Sequence, residues 1–172
     1  MLDDIKYYFK ISFPSITLFF FIFFNLFLSN KIDYSGQLFV FQAIFFWLIY
    51  SPKLIPIYII FIVGLIQDII FHLPIGTSSL VFIILVLLYE KYNKFFLEPS
   101  FFELLIIFLI FLILGNFIFW LINSIINFYF LPFRFDYLYE IFFNIIIFPL
   151  NYFFLYLLFK KLNLDKIYKK NV

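Results

Sequence analysis

The chain has 172 residues, 66% of them hydrophobic and 13% charged, with a formal net charge of +2 and a mean hydropathy of +1.12. Soluble domains run nearer half apolar and a quarter charged. This composition therefore excludes a water-soluble globular protein and points to one polytopic membrane domain over 1–172. Cysteine is absent, which excludes disulfides and thiolate metal sites.

In chain order, the first span is expected over 13–28, with Ser12 as N-cap and Pro14 in the first turn. Lys6 and Lys10 precede it, but Leu28-Ser29-Asn30-Lys31 is no small-residue cleavage site. The segment therefore reads as an uncleaved first helix rather than a signal peptide. The second span, 37–50, is short and is stopped by Ser51-Pro52. The third covers 54–71, with Pro56 in its first turn. Pro74-Ile75-Gly76 forms a tight turn, and Thr77-Ser78-Ser79 offers hydroxyls to start the fourth span, 77–89. The fifth runs over 104–122 and the sixth over 141–159, where Pro149 predicts a kink. Between them, 125–139 is apolar but broken by Pro132, Arg134 and Asp136. That stretch is expected to lie at the membrane interface.

Six spans put both termini on one side, and basic residues choose the side. With the termini cytoplasmic, inner segments carry Lys6, Lys10, Lys53, Lys91, Lys94, Lys160, Lys161, Lys166, Lys169 and Lys170; outer segments carry Lys31 and Arg134. The bias supports a second crossing despite its shortness. The loops are short, so function rests on helix faces, loops or an internal cavity.

One residue stands out against this background. Asp68 is the only charge between Leu54 and Phe71. A charge near mid-bilayer costs about 2.5–3.5 kcal/mol on insertion scales, so it needs a reason to be there. Gly64 lies one turn earlier on the same helix face, where the lack of a side chain lets another backbone approach closely. His72 lies one turn later and is within reach of the carboxylate. Two readings of Asp68 stand side by side. It faces a partner or cavity, or it is an acid near the helix end that reaches water or caps the next turn. A proton relay is disfavoured, because no second acid sits at comparable depth.

His72 is the only histidine. A metal site needs several ligands and a catalytic base needs a nucleophile; neither is in view, so His72 reads as a polar residue at the outer interface. The amides Asn25, Gln42, Gln67, Asn116, Asn123, Asn144 and Asn151 read as interhelical hydrogen-bonding groups. Asn144 and Asn151 flank Pro149 and are placed to satisfy the carbonyl it frees. No phosphate-cradling loop, metalloprotease helix or Ser/His/Asp set is present, so no enzyme and no cofactor are expected.

Read together, Trp47, Pro52, Gly64, Asp68 and Gly76 form the pattern W-x4-P-x11-G-x3-D-x7-G. With the size and six-span plan, this resembles the bacterial rod shape-determining MreD family over about residues 38–90. The chain departs from that family in its abundance of Phe and in having Ala43 as its sole alanine. The resemblance implies an all-α bundle of six membrane helices, like the substrate-binding subunits of energy-coupling-factor vitamin transporters. It also implies a non-enzymatic inner-membrane scaffold that helps couple lateral peptidoglycan synthesis to rod shape. The implied partners are the bitopic protein MreC and the elongation machinery: MreB, RodA and a class B penicillin-binding protein. Gly64, Asp68 and Gly76, with Trp47, Pro52 and His72, are the implied positions for partner contact or helix packing.

The alternative is a substrate-binding subunit of a vitamin-type transporter, which has the same size and helix number. Such subunits dock through small residues spaced four apart in the first helix, and here that span has no Ala or Gly. Asp33, Tyr34, Gln37, Arg134 and Asp136 are the polar groups the outer loops offer to a ligand. Basic segments at Lys91 and Lys94 and at the C-terminus favour anionic membrane lipid. Nothing points to nucleic acid.

Overall fold

A computed structural model describes residues 2–29, 38–92, 99–129, 136–162 and 164. The described residues are helical and contain no strand. The elements are α1 (Leu2–Ser29), α2 (Leu38–Tyr50), a 3-10 turn (Pro52–Leu54), α3 (Ile57–Ile70), α4 (Thr77–Tyr92), α5 (Phe101–Ile126) and α6 (Asp136–Lys161). Among the described residues, three stretches are long and apolar enough to cross a membrane: Tyr8–Phe27, Phe101–Ile126 and Glu140–Lys161. Shorter apolar helices cover Phe39–Tyr50 and Ile57–Ile70.

Several boundaries differ from the sequence expectation, each for a local reason. α1 starts at Leu2, so Ser12 is not an N-cap and Pro14 lies inside the helix. Pro14 lacks the N–H that would bond one turn back. The Thr17 hydroxyl donates to the Pro14 carbonyl at 2.6 Å, a side-chain contact that accompanies proline in apolar helices. α3 starts at Ile57 rather than Leu54, because Pro56 holds Ile55 extended (φ −113°, ψ 101°) and Pro52–Leu54 forms a separate 3-10 turn. α5 starts at Phe101 because Ser100 and Glu103 form a capping box: the Ser100 N–H donates to Glu103 Oε2 at 2.6 Å and the Glu103 N–H to Ser100 Oγ. α5 continues to Ile126 and α6 begins at Asp136, so both ends of the expected interfacial stretch are helical. Its middle, 130–135, lies outside the described residues, as do Asp33, Tyr34, Gln37 and Arg134.

The chain divides into two compact units. The first comprises residues 1–59 and 147–172. Its centre is α2, which is buried on every side from Phe39 to Leu48. A helix apolar all round belongs in an interior; α2, about 20 Å long, is also shorter than a hydrocarbon core of about 30 Å. α2 packs on α1 and on the C-terminal part of α6. Phe45 meets Phe148 edge-on at 5.9 Å, and Phe46 meets Tyr152 at 5.7 Å. Asn151 Nδ2 donates to Gln42 Oε1 at 2.9 Å, an interhelical amide pair in an otherwise apolar core.

The second unit comprises residues 60–146. α4 packs along α5. On α5 the buried residues Leu104, Phe108, Leu112 and Gly115 recur at helical spacing and make one covered stripe. Ile106, Ile110, Ile113 and Phe117 lie off that stripe and are exposed. A contiguous apolar face of this extent is a surface for hydrocarbon rather than water. In α6, Asn144 Nδ2 donates to the Glu140 carbonyl at 3.0 Å, and Asn151 reaches Gln42. These are bonds of the two amides that were expected to flank Pro149.

Candidate functional site

The candidate site is the hairpin between α3 and α4, where Asp68 is completely buried. α3 ends in a Schellman arrangement. The Leu73 N–H donates to the Asp68 carbonyl at 2.9 Å, and the His72 N–H to the Ile69 carbonyl at 3.5 Å. This requires a left-handed residue just past the helix, and His72 takes it with φ 54°. Pro74 and Gly76 complete the turn, with Gly76 at φ 98°. α4 then opens with the Leu80 N–H bonding to the Gly76 carbonyl at 2.9 Å, which makes Gly76 its N-cap.

Glycine has no side chain with which to cap a helix. Asp68 supplies the missing oxygen from one helix away. Its Oδ1 accepts the Ser78 N–H at 3.0 Å, the bond that a Ser or Asp at the N-cap would otherwise make. Oδ2 accepts the Gly76 N–H at 2.8 Å, and the Thr77 hydroxyl donates to Oδ1 at 3.1 Å. An ionised carboxylate at this position would lie at the positive end of the α4 dipole, a second source of stabilisation. His72 makes no ion pair with Asp68 among the described residues; its place is the left-handed position that ends α3.

Gly64 holds the same two helices together from the other side of the turn. A Cβ on Gly64 would lie 2.5 Å from Ser79 Cα and 2.6 Å from Ser79 N. The backbones of α3 and α4 therefore touch where Gly64 stands, as small residues permit in membrane helix packing. Ser79 Oγ donates to the Phe61 carbonyl at 3.0 Å across the same crossing. Gly64, Asp68 and Gly76 thus converge on the start of one helix, and the partner of the Gly64/Asp68 face in this chain is its own α4.

Trp47 and Pro52 belong to the first unit and are not part of this cluster. Trp47 is fully buried, and its indole N–H donates to Thr17 Oγ1 at 2.8 Å, joining α2 to α1 beside Pro14. Pro52 opens the 3-10 turn that follows α2.

Sequence reasoning did not single out two features. Thr17 is one; the threonine three residues after a helical proline was the available signal. A second is the ladder of Tyr152 and Tyr156, stacked at 6.0 Å, with the Tyr50 and Tyr152 hydroxyls hydrogen-bonded. Their spacing of four on one helix was the signal there. Gln67, expected to hydrogen-bond between helices, is instead fully buried with no partner for either amide atom among the described residues. Among the described residues, no group of three His, Cys, Asp or Glu side chains is placed to hold a metal.

The geometry so far describes a buried polar hairpin in an apolar helical chain. Comparison with known families adds the decisive observation: the model of the rod shape-determining protein MreD matches residues 6–162. The chain belongs to the MreD family. No curated protein and no solved structure matches it. Membership carries a role in rod cell-shape determination. MreD proteins are shape-determining structural proteins, and the three long apolar helices of this one fit a membrane protein. The match spans the Gly64–Asp68–Gly76 hairpin and extends well beyond the central segment in which the resemblance was first visible.

Proposed function

We propose that this MreD protein is a non-enzymatic, multi-pass scaffold in the bacterial inner membrane. In this reading it helps couple lateral peptidoglycan synthesis to rod shape through membrane-embedded contacts with MreC. MreB, RodA and a class B penicillin-binding protein complete the elongation complex. The observation that carries this reading is the family match over residues 6–162. Support comes from the excess of Lys in the segments assigned to the cytoplasmic side and from the lipid-suited face of α5.

The proposed topology is six crossings with both termini cytoplasmic, in the plan of energy-coupling-factor substrate-binding subunits. The two shorter apolar helices, α2 and α3, and α4 would then cross in company with the three long ones. Gly64, Asp68, Gly76 and His72 would act as the struts of the α3–α4 hairpin, and Trp47 and Pro52 as packing residues of the first unit. The family match favours the scaffold over a vitamin-binding transporter subunit.

The test is affinity purification of the tagged protein from native membranes in mild detergent, with co-purifying proteins identified by mass spectrometry. Recovery of a bitopic MreC-like protein together with RodA or its penicillin-binding partner is expected. Recovery of paired ATPases with a transmembrane coupling protein would overturn the reading.

A further inference from the structure

α5 is longer than the apolar core of a membrane is thick. Its 26 residues span about 39 Å, against a hydrocarbon core of about 30 Å. A tilt of about 20°, average for membrane helices, shortens that span only to about 37 Å. At the start of α5, Glu103 is exposed and held in the capping box with Ser100, and a carboxylate belongs outside hydrocarbon. With Glu103 at one boundary of the core, the last turn of α5 emerges from the other. The exposed row Ile106, Ile110, Ile113, Phe117, Leu121 and Ile125 carries the surface suited to hydrocarbon up to that last turn. The helix closes on Asn127, whose N–H donates to the Asn123 carbonyl at 3.1 Å and whose Nδ2 donates to the same oxygen at 2.7 Å. Phe128 follows in the left-handed region, φ 57°, a conformation that favours glycine and is rare for a bulky side chain. There it is 97% exposed, more than any other large apolar side chain among the described residues. Tyr129 beside it is exposed as well.

We infer that Phe128 and Tyr129 anchor the end of α5 in the headgroup layer of the bilayer, with lipid as their partner. Phe128 lies roughly 35 Å along the helix axis from Glu103, past the core but inside the about 40–45 Å that includes both headgroup layers. Aromatic rings concentrate at this depth, and a tyrosine there keeps its ring in apolar surroundings and its hydroxyl in the wet layer. Lipid is favoured over a protein occupant because the patch continues a face of α5 already matched to hydrocarbon, and because its depth falls where headgroups are. The anchor resists sliding and tilting of α5 in the membrane. The inference rests on membrane residence and is independent of the cell-shape role.

The chain has no cysteine, so a single introduced one carries a nitroxide spin label at a known place. The experiment is power-saturation EPR of the full-length protein in vesicles of phosphatidylethanolamine and phosphatidylglycerol. It compares collisions with oxygen, which concentrates in hydrocarbon, and with a water-soluble nickel chelate. A label at Phe117→Cys, an exposed position in the middle of α5, is the hydrocarbon reference, and free nitroxide in buffer is the aqueous one. The label at Phe128→Cys should give an oxygen-to-nickel ratio between the two. A ratio equal to that in buffer would place this corner in water and overturn the inference. Few collisions with either reagent would mean that protein covers it, and would overturn it as well. Anchoring is read from a label at Ile125→Cys with Phe128→Gly and Tyr129→Ser added. Glycine keeps the left-handed turn, so the ring is lost without disturbing the helix end. The Ile125→Cys ratio should then shift toward the hydrocarbon value, as α5 tilts to bury its excess length. An unchanged ratio would overturn the anchoring role. A Phe117→Cys label with the ratio of buffer would refute membrane residence itself, a separate failure from loss of the anchor.

Discussion

The Asp68 carboxylate accepts the backbone N–H of Ser78 at 3.0 Å and so caps a helix whose own N-cap residue is a glycine. Gly76 has to be glycine-like for its backbone, at φ 98°, and in meeting that demand it gives up the side chain that a helix start needs. The charge that looked out of place in an apolar span is the answer to that deficit. An uncapped helix start in an apolar setting leaves N–H groups without water to turn to.

Asp68→Leu should destabilise the protein by about 2 kcal/mol. It removes the carboxylate acceptor from the buried Ser78 N–H, at about 1–3 kcal/mol, and from the half-buried Gly76 N–H, at less. The Thr77 hydroxyl keeps its bond to the Pro74 carbonyl and adds little. Asp68→Asn retains one acceptor oxygen and should cost roughly half as much. Thermal unfolding in detergent, followed by circular dichroism, orders the three proteins. Equal melting temperatures for wild type and the leucine variant would refute the capping role.

At Gly64 the obstacle is backbone, not side chain. Gly64→Ala should cost about 1–3 kcal/mol by forcing α3 and α4 apart. Because the close atoms are Ser79 Cα and N, adding Ser79→Gly should not rescue it. A double variant as stable as wild type would show that the contact lies elsewhere.

The two left-handed positions of the turn should respond in opposite directions. His72→Gly removes the steric cost of φ 54° and should stabilise by about 1 kcal/mol. Gly76→Ala introduces that cost and should destabilise by about 1–2 kcal/mol, although no atom lies within 4 Å of the added Cβ. Chemical denaturation of the purified variants measures both. A loss of stability in His72→Gly would mean that the imidazole makes a contact worth more than the strain.

Trp47→Phe deletes the indole donor to Thr17 but keeps an aromatic ring among Phe13, Phe46 and Phe159. A loss of about 1 kcal/mol is expected, since Thr17 Oγ1 still donates to Pro14. Trp47→Ala, which opens a cavity at a fully buried position, should cost about 3–5 kcal/mol. Similar melting temperatures for the two variants would contradict this division between hydrogen bond and packing.

Much of the site was legible because its signals are local. A carboxylate in a span without other charges, a glycine one turn before it and a glycine in the next turn all lie within thirteen residues. What the spacing left open was the occupant of the Gly64/Asp68 face, since an intramolecular and an intermolecular helix demand the same small residue. Only the position of Ser79 against Gly64 distinguishes them. The six helices were visible from their apolar runs, but their ends were not, because proline has two meanings. Pro56 precedes a helix, and Pro14 sits inside one. The Trp47–Thr17 and Asn151–Gln42 bonds join residues far apart in the chain, and no periodicity encodes them.

The most direct test of the account returns to cell shape. The chain, expressed in cells of its own species from which the chromosomal copy has been removed, should restore rod morphology, measured as cell width. Asp68→Asn should restore it partly, and Asp68→Leu should fail in proportion to its loss of stability. Cells that stay round with the wild-type chain at normal membrane levels, or that regain full rod shape with an Asp68→Leu protein shown to be unfolded, would contradict it.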